Sequence, residues 1–386
     1  MIRSFKDKET IGTDSTGDRN TLFEVIGNAL EMELHVSTST VLELVHGKRR
    51  LSKDMTLRLS SFCKIVLALH RACGYGKAMA ETHTILGAGG AVATPLAKTL
   101  GEHKLHTRLV NRHPAPVLGS EELIVADLTD PASVDHAVEG ATVTYVTVGF
   151  PYKAAVWEQL WPPFMRSVIE ACKKHRSKLV FFDNVYLYRP DSVSHMTEEN
   201  PIGPTSRKGT VREVIYRLLE AEMKQGTLPV AVARAADFAY ATYGILDVML
   251  WDSLRKGKAA QWLGRTDKIH TFTYTPDAGR ATAFIGITRN AFGQVWHVPT
   301  DQTPRTIKDW TVLLADALGT KPRVSAIPKP AVRALGLFVP ILREFGEMMY
   351  QYEQDYVFDS TKFERFFGIS PTSGADVAEA VAAKEA

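Results

Sequence analysis

The sequence predicts an α/β fold: a doubly wound parallel sheet, a small mixed C-terminal lobe and a helical N-terminal appendage. Three observations carry that prediction. From Thr82 onward, short β-rich runs alternate with amphipathic helical segments. The first of those runs ends in a glycine loop that opens directly into a helical segment. After about residue 240 the alternation weakens, and strand-like and helical stretches mix. Strand, helix, strand at this spacing implies parallel strands joined by right-handed crossovers, with helices on both faces.

Taken in order, residues 1–20 are polar and rich in Gly, Ser, Thr and charge, which predicts disorder. Residues 21–78 carry Leu, Val, Ile and Met at three- and four-residue spacing and read as helical. Strands are expected at 82–88, 107–112, 123–128, 142–149, 178–184 and 229–236. Helices are expected around AVATPLAKTLGE, PASVDHAVEG, WEQLWPPFMRSVIEACKKH and TVREVIYRLLEAEMKQ. Residues 79–240 thus form the sheet domain. Residues 241–375 form a lobe interleaved with it, and 376–386 an Ala-rich tail. AVRALGLFVPIL (331–342) is too short to span a bilayer and reads as a buried or groove-lining helix.

Composition bounds the function classes. With 45% hydrophobic and 23% charged residues, the chain is of ordinary soluble type. Residues 1–78 hold 12 Lys/Arg and 9 Asp/Glu, so the net +3 of the whole chain sits there and the remainder is neutral. Any pull on an anionic partner is therefore confined to the first fifth. Cys63, Cys73 and Cys172 show neither metal nor disulfide spacing, which points to a reducing, cytoplasmic setting. The first residues lack the apolar core of a signal peptide, and no run of 18 uncharged apolar residues occurs, so no membrane partner is expected. His103, His106 and His113 have no accompanying carboxylate cluster, so no metal is expected.

The glycine loop carries the chemistry. Its spacing is Gly87-x-x-Gly90-x-x-Ala93. Glycine at 87 permits a tight turn, glycine at 90 lets backbone approach a pyrophosphate, and a small residue at 93 lets the helix pack close to the strand. The helix start then offers amide N–H groups and a positive dipole end to phosphate. In this strand-loop-helix context the domain is of Rossmann type and binds a dinucleotide. The second strand ends in Asn111 and Arg112, where NAD-selective sites carry an acid. A cation there suits a 2′-phosphate, so NADP is expected, with NAD as the alternative. Asp127 caps the next helix or touches the adenine edge. Thr129 or Asp130 before Pro131 reads as the helix cap.

The loop, the ADLTD turn (126–130), the DNVYLY strand end (183–188) and PTSRKGTVR downstream together resemble the short-chain dehydrogenase/reductase superfamily. The similarity is to its extended and atypical members, the NAD-dependent epimerase/dehydratase proteins, over about residues 82–370. That resemblance implies NAD(P)-dependent oxidoreductase or epimerase chemistry on a small organic substrate. It also implies a Ser or Thr at the end of the fifth strand working with a Tyr-x-x-x-Lys helix. The Lys corresponds to Lys208, a catalytic and cofactor-binding position. Pro204 stands where the Tyr would be, and Asn184 where the Ser or Thr would be. A substitute acid is then sought in Tyr186, Tyr188 or Asp183, with Asn184 a donor to a substrate carbonyl. A packed tyrosine or a strand-end cap is the alternative for each. RAADF (234–238) resembles the segment that follows the sixth strand near the substrate. Arg234 there binds an anionic substrate or makes a structural ion pair. Trp157, Trp161, Tyr240, Tyr243 and Trp251 suggest an aromatic cleft, though packing explains them equally.

Residues 29–60, with HGKRRLSKDMTLRL at their end, resemble an antitoxin-type helix-turn-helix. This implies DNA as a partner, with Ser37 opening the groove-reading helix and Lys48, Arg49 and Arg50 at phosphates. The alternative is a helical appendage with a solvated basic turn. An NADP(H)-sensing regulator is accordingly the second functional reading. A homodimer is the default expectation of assembly.

Overall fold

The structure is a computed structural model that describes residues 81–241 and 244–384. The disorder expected at 1–20, the helix-turn-helix-like segment at 29–60 and Tyr243 lie outside the described residues. The order of elements is β1 Thr82–Leu86, α1 Ala93–Glu102, β2 His106–Asn111, β3 Glu122–Val125, α2 Pro131–Val138, β4 Val143–Val146, α3 Ala154–His175 and β5 Lys178–Asn184. Then follow α4 Arg207–Gln225, β6 Val230–Ala235, β7 Asp237–Ala239, β8 Ala260–Leu263, β9 Phe272–Tyr274, α5 Thr275–Ile287 and β10 Gln294–His297. The chain ends with α6 Ile307–Ala317, β11 Val324–Ile327, α7 Lys329–Leu335, α8 Pro340–Gly346, α9 Thr361–Phe367 and α10 Gly374–Ala382.

The main sheet has seven parallel strands in the order β10-β6-β5-β4-β1-β2-β3. The chain winds outward from β1 in both directions, which is the Rossmann arrangement. Buried apolar side chains of α2, α3 and α4 fill one face, and those of α1, α5 and α9 the other. The six strands read from the sequence all form. The seventh, β10, comes from the late mixed region, so the sheet is closed by residues beyond 240.

Local chemistry explains the boundaries. Pro131 opens α2, and Asp130 caps it by accepting from the N–H groups of Ala132 and Ser133. Ser206 caps α4 by accepting from Gly209 N–H. β4 stops at Val146, short of the expected 149. Thr147 N–H still donates to Leu86 O at 2.9 Å, and Val148 and Gly149 lie beyond the strand, lining the cleft described below.

AVRALGLFVPIL is not one helix, and its groove-lining part is confined to Ile341, which lines the same cleft. Pro340 cannot continue α7, so the chain breaks into α7 and α8 with an exposed turn between them. Within the Ala-rich tail, α10 buries Val377, Ala378 and Val381 in the lobe core.

Burial of two imidazoles gives stability an acid limb. His83 in β1 is fully buried, with Nδ1 2.8 Å from the Tyr145 hydroxyl. Burial pulls its pKa down to about 4. In the unfolded chain a histidine titrates near 6.5. Between those values the unfolded chain binds a proton that the folded chain refuses, so stability falls as pH drops from about 6.5 to about 4. The expected loss from His83 is about 3 kcal/mol. His297, also buried and held well below its ordinary value by burial and Arg234, acts in the same direction. Urea midpoints across this range should fall steadily with acid, and His83→Gln should flatten the slope. A midpoint that does not move with pH would contradict the neutral buried imidazoles.

Candidate active site

A cleft of about 1290 Å³ opens at the carboxyl ends of the strands, where the winding reverses between β1 and β4. This is where doubly wound sheets place their ligands. The loop after β1 forms one wall, from Gly87 to Val92, and Thr147 to Tyr152 form the facing wall.

Gly87 has φ +94°, and a Cβ there would sit 2.7 Å from the backbone N and Cα of Val148. Only glycine fits both the angle and the contact. At Gly90 the space is open: the nearest atom to an added Cβ is Gly87 O at 3.8 Å. Ala93 is buried in the first turn of α1, against the sheet. That turn has no side-chain cap and no acidic residue. Its N–H groups and dipole therefore face the cleft uncompensated by the protein's own carboxylates.

At the far end, Asn111 Nδ2 donates to Ala88 O at 2.5 Å and its Oδ1 accepts from Arg112 N–H. This amide staples the loop to the end of β2. Arg112 is exposed, lines the cleft and makes no ion pair within 4 Å among the described residues. Asp127 lines the same end. Its Oδ1 accepts from Thr129 N–H and Oγ1 in a tight turn, which holds its carboxyl below the ordinary range. Helix capping falls to Asp130, one of the candidates the sequence left open, and not to Asp127 or Thr129.

The end of β5 answers two purposes. Asp183 is buried, and opposite it in the neighbouring strand is Arg234. Asp183 Oδ2 lies 3.3–3.4 Å from the Arg234 guanidinium, and Oδ1 is 3.6 Å from Arg212. Both of its oxygens thus face cations, and the residue also lines the cleft. Arg234 is the structural partner of the two roles considered, and it also donates to Tyr188 Oη at 2.7 Å. That phenol continues to His297 Nε2 at 2.7 Å, so Tyr188 belongs to the core network.

Asn184 and Tyr186 face the cleft. Asn184 Oδ1 accepts from Tyr186 N–H at 3.1 Å, which leaves its Nδ2 group without a hydrogen bond among the described residues. Gly209 lets the start of α4 lie against this loop, since a Cβ there would collide with Tyr186 O. The Tyr152 hydroxyl donates to the Tyr186 hydroxyl at 3.3 Å. Tyr186 can then turn its own proton to the cleft. Burial and the charge of Asp237 push its pKa above the ordinary tyrosine range, against the pull of Tyr152 and Arg212. Tyr186 is a protonated donor at neutral pH.

Lys208 is turned away from the cleft. Its Nζ is fully buried, lies 2.9 Å from Glu344 Oε2 and 2.5 Å from Glu347 Oε1, and sits 4.7 Å from the centre of the Tyr152 ring. It does not line the cleft. Helix α4 begins only at Arg207, so Lys208 occupies its first turn and turns toward α8. Pro204 precedes the helix altogether. Glu344 also accepts from Ala154 N–H and Glu347 from Arg207 N–H. Lys208 therefore pins α8 across the starts of α3 and α4, where Ile341 and Phe345 of α8 reach the cleft.

Three residues not singled out in the sequence complete the site. Asp237, just after β6, lines the cleft and takes His270 Nε2–H on Oδ2 at 3.0 Å. His270 is clamped between the Tyr352 and Tyr356 rings, stacked at 5.7 and 4.3 Å. Arg212 lies over Trp157 and Trp161 at 4.5 and 4.2 Å, with its Nε and Nη1 lacking hydrogen bonds and the side chain lining the cleft. Of the aromatic residues expected at the cleft, Trp157 lines it, while Trp161, Tyr240 and Trp251 pack elsewhere. A neutral donor (Tyr186), a carboxylate backed by imidazole (Asp237) and a guanidinium (Arg212) thus face one chamber. Such a set can give a proton, accept one and steady negative charge.

Residues 87–207 match a family model described as NAD(P)H-binding. No curated protein is a match by sequence. Among solved structures, the chain is similar to UDP-glucuronic acid 4-epimerase from Bacillus cereus, in complex with UDP-glucuronic acid and NAD. The TM-score is 0.65 at 16% identity, covering 78% of this chain and 98% of that one. It is also similar to UDP-N-acetylglucosamine 4-epimerase from Bacillus cereus, with TM-score 0.61, 12% identity and coverage of 78% and 95%. For the Thermus thermophilus UDP-glucose 4-epimerase complex with NAD the values are 0.61, 14%, 78% and 97%. At these identities the likeness is one of fold. No helix among the described residues is long and apolar enough to cross a membrane.

Proposed function

We propose that the chain is an NAD(P)-dependent oxidoreductase or epimerase-like enzyme acting on a small organic substrate. The observation that carries this reading is the open glycine loop and uncapped helix start at the β1–β4 junction, facing a cleft with room for both a dinucleotide and a substrate. The residues fit such a cofactor. Gly89 and Gly90 leave the space that a side chain would fill, and no carboxylate in the first turn of α1 opposes phosphate. The Gly87–Val92 loop would hold the pyrophosphate, and Arg112 and Asp127 the adenosine end. Asn184 would lie on the reacting side. When bound, a nicotinamide supplies hydride acceptance and return. The chain's own part is proton handling: Tyr186 donates to a substrate oxygen, Asp237 takes up a proton, and Arg212 steadies charge between them. The bound UDP-sugar of the epimerase neighbour is the precedent for a small organic substrate beside the cofactor.

NADP is the preferred cofactor in this reading, because Arg112 makes no ion pair among the described residues at the end of β2. Titration of the full chain with NADPH and NADH, followed by nicotinamide fluorescence, tests both parts. NADPH should bind more tightly. Arg112→Ala should weaken NADPH about tenfold or more and leave NADH unchanged. No binding of either would overturn the reading. Equal losses for both would remove the 2′-phosphate assignment alone.

A further inference from the structure

We propose that the α7–α8 turn is a docking element for an anionic lipid surface. Five of the twelve large apolar side chains exposed among the described residues fall within residues 335–341. Leu337 and Phe338 are 80% and 84% exposed, and Leu335, Val339 and Ile341 flank them. The turn is rooted, not loose: Val332 of α7 is fully buried, and Leu342 and Phe345 of α8 pack on the lobe core. A fixed, projecting apolar tip of this kind is unusual on a surface that meets only water.

The charge around the tip selects the occupant. From Lys321 to Arg343 the chain carries Lys321, Arg323, Lys329, Arg333 and Arg343, and no Asp or Glu. None of these five makes an ion pair within 4 Å among the described residues. The next acids, Glu344 and Glu347, are turned inward to Lys208 and the helix starts. Apolar residues that insert at the headgroup boundary, on a segment whose only charges are basic, suit a negatively charged membrane surface. A second copy suits it poorly, because a two-fold contact would set the same five cations against themselves. The chain's own residues 1–78 carry a net positive charge and offer no complement. The earlier expectation of no membrane partner rested on the length needed to span a bilayer, and surface docking needs only the tip. Ile341 and Val248 are both exposed and line the cleft, so docking would set the cleft mouth beside the lipid.

The test is co-sedimentation of the full chain with vesicles of phosphatidylcholine, with and without phosphatidylglycerol. The expected result is binding to the anionic vesicles, released by salt. The doubly substituted Leu337→Asp, Phe338→Asp chain should lose at least about tenfold of that binding. Its melting temperature and NADPH titration should be unchanged, which separates this proposal from the cofactor reading. Arg333→Glu should weaken binding without touching the apolar tip. The proposal is overturned by no binding, by equal binding to neutral vesicles, or by binding that the double substitution leaves intact. It is equally overturned if the tip substitutions abolish a concentration-dependent dimer while the wild-type chain ignores vesicles.

Discussion

Gly90→Asp is expected to abolish nicotinamide-cofactor binding in a chain that still folds. The two halves of that statement rest on different observations. Folding survives because position 90 is exposed, has no positive φ, and an added Cβ would make only ordinary contact, 3.8 Å from Gly87 O. Binding fails because the new carboxylate occupies the space a pyrophosphate needs and sets negative charge against it at the uncapped start of α1. A loss of a hundredfold or more in NADPH affinity, about 3 kcal/mol, is the expected scale. Gly87→Ala serves as the contrast. Its Cβ would strike the Val148 backbone at 2.7 Å in a conformation with φ +94°, so it should lower the melting temperature as well as the affinity. Unchanged NADPH binding by the folded Gly90→Asp chain would show that the loop is a structural turn and would remove the cofactor assignment.

How far the site could be read from the sequence depended on how local its signals are. The glycine loop, Asn111-Arg112 and the Asp127 turn each belong to a short strand-loop-helix unit. Their spacing alone brings them to the carboxyl edge of the sheet, and all line the cleft. Asn184 and Tyr186 were legible for the same reason, as the end of a strand. Lys208 was assigned by counting along a helix whose start could not be seen. The helix begins at Arg207, and the acids that claim Lys208 come from Glu344 and Glu347, more than a hundred residues later. Asp183 ends an apolar strand, which reads equally well as an acid at a site. The cations beside it, Arg234 across the sheet and Arg212 on α4, come from distant parts of the chain that no local signal announces. Asp237 lay in a stretch already placed near the substrate. Nothing local pairs it with His270, 33 residues on, and no periodicity announces that contact.

Asp237→Asn and Tyr186→Phe should separate catalysis from binding at the reacting end of the cleft. On a substrate found by screening carbonyl and hydroxyl compounds against NADPH oxidation or NADP reduction, each should lower kcat by about 10²–10⁴-fold, the usual worth of a positioned acid or base. NADPH affinity should hold, because neither residue belongs to the Gly87–Val92 loop. The two should differ in what else they disturb. Tyr186→Phe removes one hydroxyl whose hydrogen-bond partner among the described residues is the Tyr152 hydroxyl, so stability should change little. Asp237→Asn also removes a charged partner from buried His270, so a lower melting temperature should accompany the kinetic loss. His270→Gln should reproduce part of that kinetic loss if the imidazole positions the carboxylate. Lys208→Met provides the opposite pattern. It strips the cation from Glu344 and Glu347 and loosens α8, so it should cost about 3–5 kcal/mol of stability, the scale for breaking a buried ion pair. A kcat that survives Asp237→Asn and Tyr186→Phe, yet collapses in a still-folded Lys208→Met chain, would return the proton chemistry to the lysine and defeat the assignment made from the geometry.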